Sequence, residues 1–217
     1  MAGLLGLIVL FALLIGVAIV TIQNFSPSTK QINVPFTSQA PEGNWAEPWQ
    51  NACEEASIVM IQNFYENEQL TIDKARQQIL DIFKLKKATA PASKDESMER
   101  VAEIINSGEL IWKARVVNDP SLEAIKTELA ANRPIIAPVY APLLNNPNYV
   151  GAGPSYHVIV ITGYDDVTSE FITHDPGTEA GKNYRYSYDS LLAALHDYLK
   201  NKDYTAGQKR VLFTEPR

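Results

Sequence analysis

The hydrophobic pattern of the chain changes period near its middle, and this change limits the fold more than any other feature of the sequence. From Ala52 to Tyr65 (ACEEASIVMIQNFY), Ala56, Val59, Met60 and Phe64 recur at helical spacing. Asn51 is expected to cap this helix, and Glu54 and Glu55 fall in its first turn, where acidic groups suit the positive end of the helix dipole. Thr71 to Lys87 and Ser93 to Ser107 read as two further helices. The second is opened by Ser93 with Glu96 three residues on and is closed by Gly108. Beyond it the period shortens. Leu110 to Val117 is a strand, Ser121 to Asn132 a helix, and Ile135 to Tyr140 a strand entered through Pro134. His157 to Tyr164 (HVIVITGY) and Glu170 to His174 (EFITH) read as strands joined by a polar turn around Asp165, Asp166 and Val167. A strand from Tyr184 to Tyr188, a helix from Asp189 to Leu199 and a strand from Arg210 to Thr214 complete the chain. A helical N-terminal part followed by a mainly antiparallel sheet makes an α+β domain.

Ahead of that domain, Met1 to Ile22 carries no charge, and about 20 apolar residues in a helix cover the roughly 30 Å hydrocarbon core of a bilayer. The segment 1–23 is therefore read as a single transmembrane signal anchor. A cleaved signal peptide is the alternative, with Gly16 and Ala18 as small residues near a cut, although the apolar run continues through Val20 and Ile22. The first charge is Lys30, so flanking charge does not set the orientation. Residues 24–33 are polar, with Ser and Pro, and read as a linker; the folded domain is expected over 34–217.

A formal net charge of -6 argues against nucleic acid as a partner, because a polyanion repels the bulk of such a chain. The single cysteine, Cys53, excludes an internal disulfide and a cysteine-rich zinc cluster. His174 and His196 lack metal-type spacing with each other or with His157, and no cofactor is called for.

Free cysteine is commonly a buried packing residue. Cys53, however, stands at a helix start, where unpaired N–H groups and the dipole stabilise a thiolate, so a lowered pKa is expected. His157 opens an apolar strand, where a hydrogen-bonded core histidine is the plainer reading. A hairpin centred on Asp166 would set Asp175 directly opposite His157 on one face, within reach of a shared hydrogen bond. A carboxylate there fixes the tautomer and orientation of an imidazole base, as a nucleophile–base–orienter triad requires. Asp175 also suits the turn Asp175-Pro176-Gly177. Asp165 and Asp166 read as solvated turn formers, Ser155 as loop polarity, and Tyr184, Tyr186 and Tyr188 as ordinary strand residues. Trp45 and Trp49 either line a cleft or pack their own loop.

The stretches VPFTSQAPEGNWAEPWQNACEEAS, SYHVIVITGYDD and FITHDPGT, in that order, resemble the C39-like branch of papain-like cysteine peptidases over the chain from Val34 onward. The resemblance implies a papain-like fold, with Cys53 as nucleophile, His157 as general base and acid, and Asp175 as the residue orienting His157. It implies Gln39 as the oxyanion-hole side chain. Gln39 lies fourteen positions before Cys53, further than is usual in the family, and Gln50 is its rival. Glu54 follows the cysteine where the bacteriocin-processing members carry glycine, so their double-glycine leader specificity is not transferred. The implied activity is hydrolysis of peptide or protein substrates by a membrane-anchored enzyme whose catalytic domain lies outside the cytoplasm. An acyltransferase or amidase with the same residues, and a non-catalytic papain-like binding domain, are the alternatives.

Overall fold

The computed structural model describes residues 28–89, 93–151, 153–200 and 203–217. The expected anchor over 1–23 lies outside the described residues. Among those described, no helix is long and apolar enough to cross a membrane. Of the expected linker, Thr29–Gln31 forms strand β1 instead. It pairs antiparallel with Gly163 to Asp165, and Ile32 N–H donates to Thr162 O at 2.7 Å, so the folded domain starts ahead of Val34.

Helix α1 (Cys53–Glu66) is the central helix. Ten of its fourteen residues are buried, as expected of a helix covered on more than one side, by α2 (Ile72–Thr89) and by the sheet. It ends at Asn67, whose left-handed φ of 56° returns its N–H to Asn63 O and Phe64 O. The N-terminus differs from expectation. Asn51 does not cap it: the residue before the helix is Ala52, with no side-chain cap, and Asn51 Nδ2 donates to Glu47 Oε1 at 2.9 Å.

Helix α3 (Met98–Asn106) starts five residues later than the pattern predicts. The reciprocal bond from Ser93 N–H to Glu96 Oε1 does form, at 2.9 Å. Tertiary partners, however, take the N–H groups that follow. Glu54 Oε1 accepts from Glu96 N and Asp197 Oδ1 from Met98 N, so Ser97 becomes the cap.

The remaining strands are β2 (Trp112–Asn118), β3 (Ile135–Val139), β4 (His157–Asp165), β5 (Glu170–His174), β6 (Tyr184–Ser187) and β7 (Arg210–Pro216). They run in the order β2-β7-β3-β4-β5-β6, every pairing antiparallel, with β1 also on β4. Helix α4 (Leu122–Ala130), capped by Ser121, packs on β4. Helix α5 (Tyr188–Ala194) is shorter than its pattern. β7 pairs with β3 only at Ile135 and Ile136, which leaves the far end of β3 open. Leu195 leaves the helix to bridge Val139, and His196 N–H donates to Pro138 O at 3.2 Å. An open strand edge outcompetes one more helical turn.

Strands β3 and β4 are buried almost throughout, with Val139, Val158, Ile159, Val160 and Ile161 inaccessible to solvent. Each such side chain contributes roughly 1.5–3 kcal/mol of burial free energy. His157 is thereby mounted at the end of a fully buried stretch of the sheet.

The β4–β5 register is not the one expected from a hairpin centred on Asp166. Asp165 pairs with Glu170 and Tyr164 with Phe171, and a bulge between Ile161 and Gly163 then resets the ladder so that Ile161 faces Thr173. The expected turn is three residues too short, and the bulge, which takes one of the three back, is invisible in the pattern. Asp166 is also more than a solvated turn former: it accepts from Lys126 Nζ of α4 at 2.9 Å and from Tyr188 Oη of α5 at 2.8 Å.

Candidate active site

The bulge decides which side chain meets His157. Without it, the alternation of β5 would present His174 on the face of His157; with it, Asp175 falls on that face. His157 Nε2 lies 2.7 Å from Asp175 Oδ1, with both residues buried. A carboxylate only accepts, so Nε2 carries the proton and Nδ1 is left bare to act as base. His174 points elsewhere. Its Nε2 donates to Val34 O at 2.8 Å and its Nδ1 accepts from Asn183 N–H at 3.2 Å, which ties β5 to the chain ahead of Gln39. Burial lowers its pKa, so it is a neutral structural residue.

Asp175 is fully buried and fixed from several directions. Oδ1 accepts from Gly177 N–H at 3.0 Å as well as from His157. Oδ2 accepts from Tyr149 Oη, from Tyr186 Oη at 2.7 Å and from Asn146 Nδ2 at 3.4 Å. Burial alone would raise its pKa. Electrostatic attraction to the His157 ring and the hydrogen bonds from His157, Tyr149 and Tyr186 outweigh burial and hold the carboxyl below its ordinary range. The Tyr149 ring stands edge-on to the His157 ring, with centroids 5.9 Å apart. Gly177 lies so close that a Cβ there would meet His157 Cε1 and Nε2 at 2.8 Å.

Cys53 opens α1 and lines a cleft of ≈ 200 Å³ together with Gln39, Trp45, Gln50, Asn51, Asp95, Tyr149, Tyr156, His157 and Gly177. The cysteine, the histidine and both glutamines thus share one cavity. The expected lowering of the Cys53 pKa is not what the surroundings dictate. Burial, followed by the carboxyls of Glu54, Asp95 and Glu55, pushes the thiol well above its ordinary range, only partly offset by the Val158 backbone N–H. The helix dipole loses to desolvation and three nearby acids, so Cys53 rests as a neutral thiol.

The two glutamines separate clearly. Gln39 is buried, its N–H donates to Pro176 O at 2.9 Å, and its Nε2 donates to Trp49 O at 2.9 Å. These bonds pin it beside the end of β5 and close the loop 40–52, which returns the chain to Cys53. Gln50 is bound instead to Glu47 Oε1 at 2.7 Å on an exposed turn. Trp45 stands at the cleft, whereas Trp49 packs against the core.

A family model described as the Peptidase_C39 like family matches residues 31–207. The chain belongs to that family. It is a cysteine peptidase of the C39-like, papain-like branch, and its substrates are peptides or proteins. A search of curated protein sequences gives no match. Among solved structures, the C39-like peptidase resembles a candidate C39-like peptidase from Bacillus anthracis, with a TM-score of 0.52 at 13% identity, over 85% of this chain and 96% of that one. Xylellain, a cysteine protease from Xylella fastidiosa, aligns with a TM-score of 0.46 at 10% identity over 89% of this chain and 88% of that one.

Three residues of this C39-like site had no signal in the sequence. Tyr186 reads as one of three alternating strand tyrosines, yet its hydroxyl serves Asp175. Asn146 and Tyr149 lie in a polar loop without periodicity, and only folding carries them to the carboxylate.

Proposed function

We propose that Cys53, His157 and Asp175 are the catalytic triad of this peptidase and that Gln39 is its oxyanion donor. The observation that carries this reading is the His157 Nε2–Asp175 bond, in which an anionic, fully buried carboxylate fixes the imidazole in the cleft that also holds the only cysteine of the chain. On substrate binding, Nδ1 of His157 takes the Cys53 proton and Sγ attacks the amide carbonyl. The tetrahedral oxyanion is met by the Gln39 amide and by the backbone N–H of Cys53, which no side-chain cap occupies. His157 then gives its proton to the departing amine. Water, deprotonated by His157, resolves the thioester and restores the thiol.

A thiol neutral at rest fits this sequence of steps, because the ion pair need exist only during turnover. Cys53→Ala should abolish peptide hydrolysis with the fold nearly intact, and His157→Ala should lose a similar factor, since residues acting as one unit are not additive. Asp175→Ala should be milder. Continued turnover by Cys53→Ala, measured on a peptide library, would sink the assignment. The uncharged run Met1 to Ile22 supports a further proposal, that the enzyme is held to a membrane with its catalytic domain outside the cytoplasm.

A further inference from the structure

Glu54 adjoins the nucleophile and is only 2% exposed, yet the reaction above gives it no task. Its Oε2 lies 3.7 Å from Cys53 Sγ, and its Oε1 accepts the Glu96 backbone N–H at 2.8 Å, which holds the carboxyl against the sulfur. Lys86 attracts this carboxyl but makes its hydrogen bonds to others: its Nζ donates to Glu55 Oε1 at 3.0 Å and to Lys94 O at 3.2 Å. The titratable groups around Glu54 are Cys53 and Glu55 on α1, Lys86 on α2 and Asp95 and Glu96 ahead of α3. Tyr156 ahead of β4 and Tyr198 after α5 complete the set. Of these, only Lys86 is a cation, so one ammonium faces several acids around the buried Glu54 carboxyl.

We propose that Glu54 is a positioning residue that holds its proton in the active enzyme, donates a hydrogen bond from it to the Cys53 thiolate as that thiolate forms, and suppresses the nucleophile when it ionises. The inference rests on Cys53 being the nucleophile. A carboxylic acid beside a thiolate makes a charge-assisted hydrogen bond, whereas a carboxylate in the same place repels it at low dielectric. The proton balance is unchanged: the Cys53 proton still goes to His157, and Glu54 keeps its own. Burial, then the Glu55 charge, push the Glu54 pKa up to about 8, against the pull of Lys86. Glu54 therefore favours its protonated form around neutrality and becomes an anion near pH 8, where it opposes the thiolate.

The chain has one cysteine, so the rate of alkylation by iodoacetamide reports Cys53 alone. Glu54→Gln keeps the size, an acceptor for the Glu96 N–H and a donor for sulfur, but it does not ionise. Its alkylation profile in the full chain should shift to lower pH by about one unit, making it roughly tenfold faster near pH 8.5. The alkaline limb of kcat/KM should move up in parallel. Superimposable alkylation profiles would overturn the proposal. In the unsubstituted chain, ¹³C NMR of labelled glutamate should find the Glu54 carboxyl protonated at pH 7; titration near the ordinary value of 4.5 would equally overturn it. Alkylation needs no turnover. Peptide hydrolysis by Cys53→Ala would sink the triad and this role of Glu54 with it, whereas superimposable profiles in an enzyme that needs Cys53 would sink the role of Glu54 alone.

Discussion

At the scale of single residues, the site is built by competition for hydrogen-bond partners. Gln39 and Gln50 are the same residue type at the rim of the same cleft, and they differ in what holds them. Gln39 Nε2 spends one hydrogen on Trp49 O, and an amide nitrogen has two, so the second is available to an oxyanion. Gln50 is engaged with Glu47 in solvent-facing structure. Gln39→Ala should therefore lower kcat by about 10²–10³ with a modest change in KM, as loss of a contact made only in the transition state does. Gln50→Ala should cost far less. Steady-state kinetics of the two variants decide the matter, and losses in the reverse order would reassign the oxyanion donor while leaving the triad untouched.

The decisive element is the β4–β5 hairpin with its bulge. Gly163 sits at that bulge, and β1 passes so close that a Cβ on it would meet Lys30 O at 2.2 Å. The obstacle is backbone, which cannot rotate away as a side-chain end would. Gly163→Ala should push β1 off β4 and destabilise the domain by about 1–3 kcal/mol, the usual range for overpacking. A fall in the urea midpoint measures the effect; an unchanged midpoint would mean that β1 contributes nothing to the fold. The same hairpin shows why helix and strand identities were legible in the pattern while the register was not. HVIVITGY and EFITH are unmistakable strands, but a bulge leaves the hydrophobic string unaltered and shifts every later pairing by one. The expectation that Asp175 meets His157 holds for the wrong reason: the pair is not directly opposed. Turn length and bulge together bring the carboxylate onto the right face.

For the whole molecule, the question is how the folded domain meets its N-terminal segment. β1 belongs to the domain, so a truncated chain beginning at Ser28 should be soluble and active. One beginning at Val34 loses β1 and should be less stable. The full chain should sediment with membranes and resist carbonate extraction, because about 20 uncharged apolar residues partition into a bilayer. Recovery of the full chain in the soluble fraction would refute the anchor, and a native N-terminus near Ile19 would show cleavage instead. Protease added to spheroplasts should reach the catalytic domain if it faces outward.

The sequence by itself determined the α+β class and the order of nearly every element, because periodicity is a property of neighbouring residues, and its motifs marked out Cys53, His157, Asp175 and Gln39 as candidates. Only the tertiary structure decided the rest. It set where α3 begins, since the N–H groups of Glu96 and Met98 are claimed by Glu54 and Asp197 from other parts of the chain. It brought Asn146, Tyr149 and Tyr186 to Asp175. It also reversed the expected state of Cys53: a helix start favours a thiolate, but burial among Glu54, Asp95 and Glu55 favours the thiol. Charge in a folded protein answers to every group within a few ångströms and to the water that burial removes, and neither is written in the spacing of residues along a chain.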